Sequence, residues 1–171
     1  PEIYFTVGTH PHRAHEELDV PIAEIVRLSA HPKCVGIGEA GLDYFYDKSP
    51  REAQRQGLLN HIAAARETSL PLVIHSRDAD DDMAAILETE MARGHFTAVL
   101  HCFTGGADLA RRAVRLAPDL ALAGCDQPQF LDRPVPHGLG HLAGRQGAMH
   151  HAPAAHLTRE ADLRSVRCDG V

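Results

Sequence analysis

Length, composition and charge already narrow the classes of protein to which this chain can belong. Its 171 residues suffice for one domain with a sizeable core, and a hydrophobic content of 44% is ordinary for a globular protein. The formal net charge of −6 argues against a broad basic surface for nucleic acid, but not against an enzyme that meets phosphate through metal ions. The four cysteines are scattered without a C-x-x-C pair, which predicts reduced thiols and a cytoplasmic location. No apolar run approaches the length needed to cross a membrane.

Four short apolar runs, each followed directly by polar side chains, are typical of parallel strands that are buried on both faces. The interval between successive runs leaves room for one loop and one helix, which is the spacing of a βα unit. In chain order the runs are residues 3–8 before His10 and His12, residues 34–38 before Glu39, residues 70–74 before His75 and Arg77, and residues 97–100 before His101.

Helix signals occupy the segments between these runs. Asp19 is predicted to cap the first helix, with Pro21 in its first turn. The sequence SPRE that begins at Ser49 has the residues of a capping box, with Ser49 at the N-cap of the second helix. The third helix is predicted to end at Gly94, and a fourth follows two glycines after the last run. Strands that alternate with helices predict an α/β fold.

Polar residues at the carboxyl end of every predicted strand favour a TIM-type (β/α) barrel, because such barrels build their active sites there. An open doubly wound sheet is the alternative, but no G-x-G-x-x-G or Walker motif supports it. A complete barrel needs roughly 250 residues, so we expect an incomplete barrel of about four to five βα units in a chain that is a fragment beginning at Pro1. Residues 1–117 are the predicted partial barrel. Residues 118–171 are interpreted as an atypical tail, frame-shifted or disordered, with a candidate short strand at Leu120.

The residues that follow the strands make a candidate metal site, because barrel geometry brings them to one axis. Neutral imidazoles and a carboxylate are suitable ligands for Zn²⁺, Mn²⁺ or Mg²⁺, and a glutamate can bridge two ions at roughly 3.5–4 Å for phosphoester hydrolysis. Arg77, two residues past a strand-end histidine, is placed to hold a phosphate oxygen. The candidate ligands are Glu39, His75, His101 and His10 or His12.

Simpler roles stay open for several of these residues. His10 and His12 flank a proline in a turn, so a loop role is as plausible as contact with substrate. Glu39 follows a glycine-rich apolar strand, where an uncompensated carboxylate would be costly, and this favours a ligand role. Asp43 and Asp78 are interpreted as loop residues or helix caps rather than ligands.

Four motifs in unbroken order are similar to those of the TatD family of metal-dependent deoxyribonucleases. They are GTHPH at residues 8–12, GEAGLDY at residues 38–44, LPLVIHSRDA at residues 70–79 and HCFTGG at residues 101–106. The resemblance implies a TIM barrel of the metallo-dependent hydrolase type that hydrolyses DNA, typically as an exonuclease, in the cytoplasm. It implies that Glu39 is a catalytic, bridging metal ligand, that His75 and His101 are further ligands, and that His10 and His12 lie beside the substrate phosphate.

Two further motifs of the family have no counterpart in this chain. An H-x-H pair of ligands would lie upstream of Pro1, and no run resembling E-T-D-x-P-Y occurs. We therefore expect a divalent-metal-dependent hydrolase, with two ions in the complete family site and impaired activity in this chain. DNA or nucleotide ends are the expected substrate, with no membrane and no obligate protein partner. The alternatives are a metallohydrolase of amide or ester bonds and a non-catalytic fragment that at most binds metal.

Overall fold

The computed structural model describes residues 3–116 and 119–123. Strands alternate with helices along this part of the chain, as predicted. The strands are β1 (Phe5–Val7), β2 (Cys34–Asp43), β3 (Leu72–Arg77), β4 (Ala98–Leu100) and β5 (Leu120–Leu122). The helices are a 3-10 helix (Pro11–Glu16), α1 (Ile22–Ser29), α2 (Arg51–Thr68), α3 (Asp80–Arg93) and α4 (Ala107–Arg115). None of the helices in these ranges is long and apolar enough to span a membrane.

The five strands form one parallel sheet whose spatial order, β1-β2-β3-β4-β5, is the order along the chain. A doubly wound sheet reverses direction at a switch point, and the described strands contain no such reversal. The consecutive order is that of a (β/α) barrel, which confirms the predicted fold class. The candidate strand at Leu120 is confirmed as β5. The rest of the predicted tail lies outside the described residues, so the proposed boundary at residue 117 stays a prediction.

Apolar side chains from the sheet and the helices pack into one core. Ile37, Leu42, Ile74 and Leu100 of the strands are fully buried. The helices cover them with apolar side chains: Leu58 and Ile62 of α2, Met83 and Leu87 of α3, and Leu109 of α4. β1 is an exposed edge strand, but β2, β3 and β4 are largely buried, and their polar side chains lie at the carboxyl edge of the sheet.

Two predicted helix caps are wrong. The first helix begins after Pro21, which has extended backbone, so Asp19 lies too far upstream to cap it. The second helix begins after Pro50 without a side-chain cap. Ser49 is buried, and its Oγ accepts a hydrogen bond from the backbone N–H of His15 at 2.9 Å. The hydroxyl that would cap α2 is therefore used to hold the 3-10 helix. Gly94, in contrast, does end α3.

The second strand is longer than predicted, and this matters for the site. It was expected to end at Gly38 but continues to Asp43, with a shift of register between Ile37 and Ala40. Gly38 and Gly41 have positive φ angles of 118° and 156°. A Cβ atom on Gly41 would lie 1.9 Å from the backbone oxygen of His75, so only glycine allows this close approach to β3.

Candidate metal centre

The loop after β1 brings two histidines to the carboxyl edge of the sheet. Pro11 starts the 3-10 helix, and His10 occupies its N-cap, where the Nδ1 atom accepts a hydrogen bond from the N–H of His12 at 3.2 Å. The N–H of Thr9 donates to Nε2 of the buried His61 at 3.0 Å, which ties the loop to α2. The rings of His10 and His12 meet edge to face, with their centroids 4.4 Å apart.

Glu39 lies within β2, at the irregular part of the strand, and its carboxylate faces two histidines. Its Oε1 atom is 3.1 Å from Nδ1 of His75 and 2.7 Å from Nε2 of His101. His75 lies within β3, and His101 directly follows β4. Two of the predicted metal ligands, His75 and His101, therefore converge on one oxygen atom of the third, Glu39.

Asp43 provides a second carboxylate at the end of the same strand. It is fully buried, and its Oδ2 atom is 2.9 Å from Nε2 of His12 and 2.9 Å from Nε2 of His75. The Oδ1 atom accepts a hydrogen bond from the N–H of Tyr46 at 2.8 Å. His75 thus lies between two carboxylates, with one ring nitrogen directed at each.

Burial and these contacts shift the ionisation of the cluster. Burial acts to raise the pKa of Glu39, but the hydrogen bonds from His101 and His75 outweigh it and hold the pKa well below its usual range. Burial likewise acts to raise the pKa of Asp43, yet the N–H of Tyr46 and the two histidines lower it overall. Both carboxylates are therefore ionised in the folded protein.

The histidines respond in opposite directions. Burial acts to lower the pKa of His75, but its hydrogen bonds to Glu39 and Asp43 raise it overall. Burial and the neighbouring His75 lower the pKa of His10. The cluster thus contains two anionic carboxylates, one histidine that carries positive charge more readily than usual, and one that carries it less readily.

The donor set and its spacing fit a divalent cation. One ligand atom each from His10, Glu39 and His75 lie within 4.8 Å of one another. Ligand atoms that share an ion at about 2.1 Å lie roughly 3–4 Å apart. The 3.1 Å contact of Glu39 with His75 lies in this range, and the 2.7 Å contact with His101 lies just below it. Imidazole nitrogens with carboxylate oxygens suit Zn²⁺ and Mn²⁺, and the carboxylates also suit Mg²⁺.

Arg77 lies beside the cluster, against two aromatic rings. Its guanidinium carbon is 4.1 Å from the ring centroid of Phe45 and 4.9 Å from that of Tyr46. Within the described part of the chain it forms no ion pair with a carboxylate. A stacked guanidinium keeps its N–H groups available in the plane of the group.

Asp43 belongs to the site although the sequence pattern does not identify it as a site residue. The interpretation as a loop or cap residue accounts for its contact with the N–H of Tyr46, but not for its contacts with His12 and His75. The signal that could have found it is its even separation from Glu39, since residues four apart in one strand share a face. That signal required the strand to be extended past Gly38.

Known proteins resemble this chain in both sequence and structure. A family model described as TatD related DNase matches residues 1–125. An uncharacterized metal-dependent hydrolase, YabD of Bacillus subtilis, is 43% identical over 122 residues, which cover 71% of this chain and 48% of the relative. A protein of Pantoea vagans named 3'-5' ssDNA/RNA exonuclease TatD is 33% identical over 129 residues, 74% of this chain and 49% of the relative. The chain therefore spans about half the length of these two relatives.

Two solved structures share the fold. The TatD homologue YJJV of Escherichia coli K12 superposes with a TM-score of 0.59 at 30% identity, over 70% of this chain and 45% of that chain. A hydrolase TatD family protein of Entamoeba histolytica superposes with a TM-score of 0.60 at 25% identity, over 72% of this chain and 42% of that chain. These matches agree with the barrel assigned from strand order.

Proposed function

The chain belongs to the family of TatD-related DNases, and from that premise we propose that it takes part in divalent-metal-dependent hydrolysis of phosphodiester bonds at nucleic-acid ends. The observation that carries the proposal is the convergence of His75 and His101 on one oxygen atom of Glu39, at 3.1 and 2.7 Å. Glu39 lies in β2, His75 lies in β3 and His101 directly follows β4, so three neighbouring strands position these groups.

Glu39, His75 and His101 are the metal ligands in this proposal, and Glu39 is the catalytic residue that would bridge two ions in the complete site. His10 is a further candidate ligand because its ligand atom lies near those of Glu39 and His75. A bound Mg²⁺, Mn²⁺ or Zn²⁺ would supply Lewis acidity toward water and toward the phosphate oxygens.

The remaining polar residues of the site would orient the ligands and the substrate. Asp43 would fix the imidazole rings of His12 and His75, as carboxylates behind metal-binding histidines do. His10 and His12 would lie beside the substrate phosphate, and Arg77 would hold one of its oxygens through the edge of the guanidinium. A cytoplasmic location belongs to the same proposal.

The names of two relatives support the proposed substrate class. These two, from Pantoea vagans and Escherichia fergusonii, are named 3'-5' ssDNA/RNA exonucleases. We extend that substrate to this chain, so single-stranded DNA or RNA ends are the proposed substrate. Hydrolysis of amides or esters by the same ligands is the competing outcome, and metal binding without hydrolysis is another.

A titration and a cleavage assay on the 171-residue chain test the proposal. Calorimetry with each of the three ions measures affinity and stoichiometry. Release of nucleotides from end-labelled single strands measures nuclease activity, and it is compared with turnover of a panel of amide and ester substrates. We expect metal-dependent release that falls at least about 100-fold in Glu39→Gln, since a ligand matters at least as much as the groups behind it.

The matched control is Glu67→Gln, at an exposed position of α2 that lies outside the site. It should leave metal affinity and nucleotide release unchanged. Release that needs no metal, or that survives in Glu39→Gln, would contradict the proposal. Faster turnover of an amide than of an oligonucleotide would favour the competing chemistry.

A further inference from the structure

Two exposed aromatic residues follow the site-bearing strand without joining the core. Phe45 and Tyr46 come after Asp43 and Tyr44, and they are 55% and 50% exposed. Their rings meet at 4.8 Å with an interplanar angle of 90°. Adjacent, half-exposed aromatic rings at the edge of a polar cluster point to a binding role rather than to packing.

Cations line this aromatic pair. The guanidinium of Arg77 lies over both rings, and Nζ of Lys48 is 5.3 Å from the centroid of Tyr46. Sites that bind single-stranded nucleic acid combine cations for the backbone with aromatic faces on which bases stack. Arg77 and Lys48 thus place two positive charges at these rings in a chain whose formal net charge is −6.

The aromatic pair is joined directly to the candidate metal centre. The ring of Tyr46 lies 5.4 Å from that of His12, edge to face, and the N–H of Tyr46 donates to Asp43 Oδ1 at 2.8 Å. A nucleotide whose phosphate lies at the metal centre would therefore have its base, or that of its neighbour, within reach of these rings.

We propose that Phe45 and Tyr46, supported by Arg77, form a stacking platform for an unpaired base of the substrate, next to the phosphate at the metal centre. This inference rests on the proposed function and adds the reason for a single-strand preference. A base inside a duplex has both faces covered and would have to be unstacked first, whereas the base of a single strand is free to stack on the rings.

A binding assay tests the stacking platform separately from catalysis. Fluorescence anisotropy compares two single strands of equal length in the presence of Mg²⁺, both with phosphorothioate linkages that resist cleavage. One strand carries thymine bases, and the other is abasic but has the same backbone charge. Wild type should bind the thymine strand about 5- to 150-fold more tightly, which is the range for stacking of one base on an aromatic side chain.

Alanine variants then locate the preference. Phe45→Ala and Tyr46→Ala should weaken binding of the thymine strand within that range and leave the abasic strand unaffected. Tyr46→Phe keeps the ring and should bind like wild type. Phe5→Ala is the matched control, since Phe5 is an exposed aromatic residue at the opposite end of the sheet, where it packs on His31.

Each result has one meaning for the platform. Equal loss for both strands in the alanine variants, or no loss at all, would overturn the platform even if the chain cleaves DNA. Loss of the thymine preference in Phe5→Ala would overturn it too. A wild-type chain that binds neither strand would overturn the platform and the proposed function together. Strong thymine preference without metal-dependent cleavage would support the platform and reject the hydrolase.

Discussion

Buried and partly buried carboxylates in this molecule are neutralised in two opposite ways. Glu90 of α3 is held by arginines, with Arg66 Nη1 2.9 Å from its Oε2 and Arg93 Nη1 2.6 Å from its Oε1. Glu39 and Asp43 of β2 face imidazole nitrogens instead, and within the described residues neither forms an ion pair with a lysine or arginine. Both arrangements compensate the negative charge of a carboxylate, but only the imidazole partners can be replaced by a metal cation.

The difference lies in what the partner can become. A guanidinium stays charged at every physiological pH and has no lone pair to offer, so Glu90 has a permanent partner. An imidazole can lose its proton and turn a nitrogen lone pair toward a cation. The carboxylates on β2 are therefore suited to an exchangeable cation, and the carboxylate on α3 to joining helices. Changes near Glu90 should affect stability, and changes near Glu39 should affect metal affinity.

The largest expected effect on stability is at Arg66. Arg66→Ala would remove the contact with Glu90 and a 3.1 Å hydrogen bond to the backbone oxygen of Gly94, which links α2 to the end of α3. Loss of one partner from a buried pair should lower the free energy of unfolding by about 3 kcal/mol, because Glu90 then keeps only Arg93. Urea denaturation of the metal-free chain measures this.

An exposed pair supplies the control for Arg66. Arg111 pairs with Asp108 at 3.2 Å on the surface of α4, and Arg111→Ala should change the free energy of unfolding by less than about 0.5 kcal/mol. Unchanged metal affinity in Arg66→Ala, once folded, is part of the expectation. Equal destabilisation by both variants would break the distinction between buried and surface pairs.

Asp43 should show the reverse pattern. Asp43→Asn removes the charge that faces His12 and His75 while it keeps an oxygen for the N–H of Tyr46. Metal affinity should fall about 10- to 100-fold, as for other carboxylates that orient metal-binding histidines. Calorimetric titration with Mn²⁺ or Zn²⁺ gives the value.

Glu90→Gln is the matched control for Asp43→Asn, because it also neutralises a buried carboxylate. It should destabilise the fold, since it leaves the arginines without their anion, but it should not change metal affinity. A similar loss of metal affinity in both variants would show that the two kinds of carboxylate do not differ in function.

Features that depend on neighbouring residues in the chain could be predicted from the sequence, and contacts between residues far apart in the chain could not. The apolar runs predict the strands, and Glu39, His75 and His101 were expected together because parallel strands place their ends on one edge. The extension of β2 to Asp43 was missed, since it depends on the approach of Gly41 to the backbone of β3. No local pattern contains that contact.

The failed cap at Ser49 has the same origin. A capping box is a local signal, but the partner of Ser49 is His15, which lies 34 residues away in the chain. Ser49 bonds His15 and does not cap α2, because Ser49 is buried and its hydroxyl needs a partner inside the core. Long-range contacts of this kind decide polar detail that the hydrophobic pattern does not encode.

His61 extends the comparison to histidines. Unlike His75, it has no carboxylate contact in the described residues, and burial lowers its pKa. The unfolded chain, with a pKa near 6.5 at this position, therefore takes up the proton first as pH falls. The contribution of His61 to the free energy of unfolding should therefore decrease from about pH 6.5 downward, with a slope of at most about 1.4 kcal/mol per pH unit.

His61→Gln isolates that contribution, since an amide can still pair with the N–H of Thr9 and the oxygen of Gly57. Urea denaturation at about pH 7.5 and about pH 5.5 should show wild type losing more stability than the variant. A larger loss in the variant would mean that His61 is stabilised in its charged form, contrary to its burial.

The smallest expected effect separates two adjacent tyrosines. The hydroxyl of Tyr44 donates to Asp82 Oδ2 at 2.6 Å, and burial with this contact raises the pKa of Tyr44 to about 12. Tyr44→Phe should lower the free energy of unfolding by about 0.5–1 kcal/mol, because the site is partly solvated and Asp82 keeps Arg55. Tyr46→Phe should leave the urea midpoint unchanged, since the proposed role of Tyr46 uses the face of its ring and not its hydroxyl. An equal cost at both positions would assign Tyr46 to the fold and weaken the case for its role in binding a base.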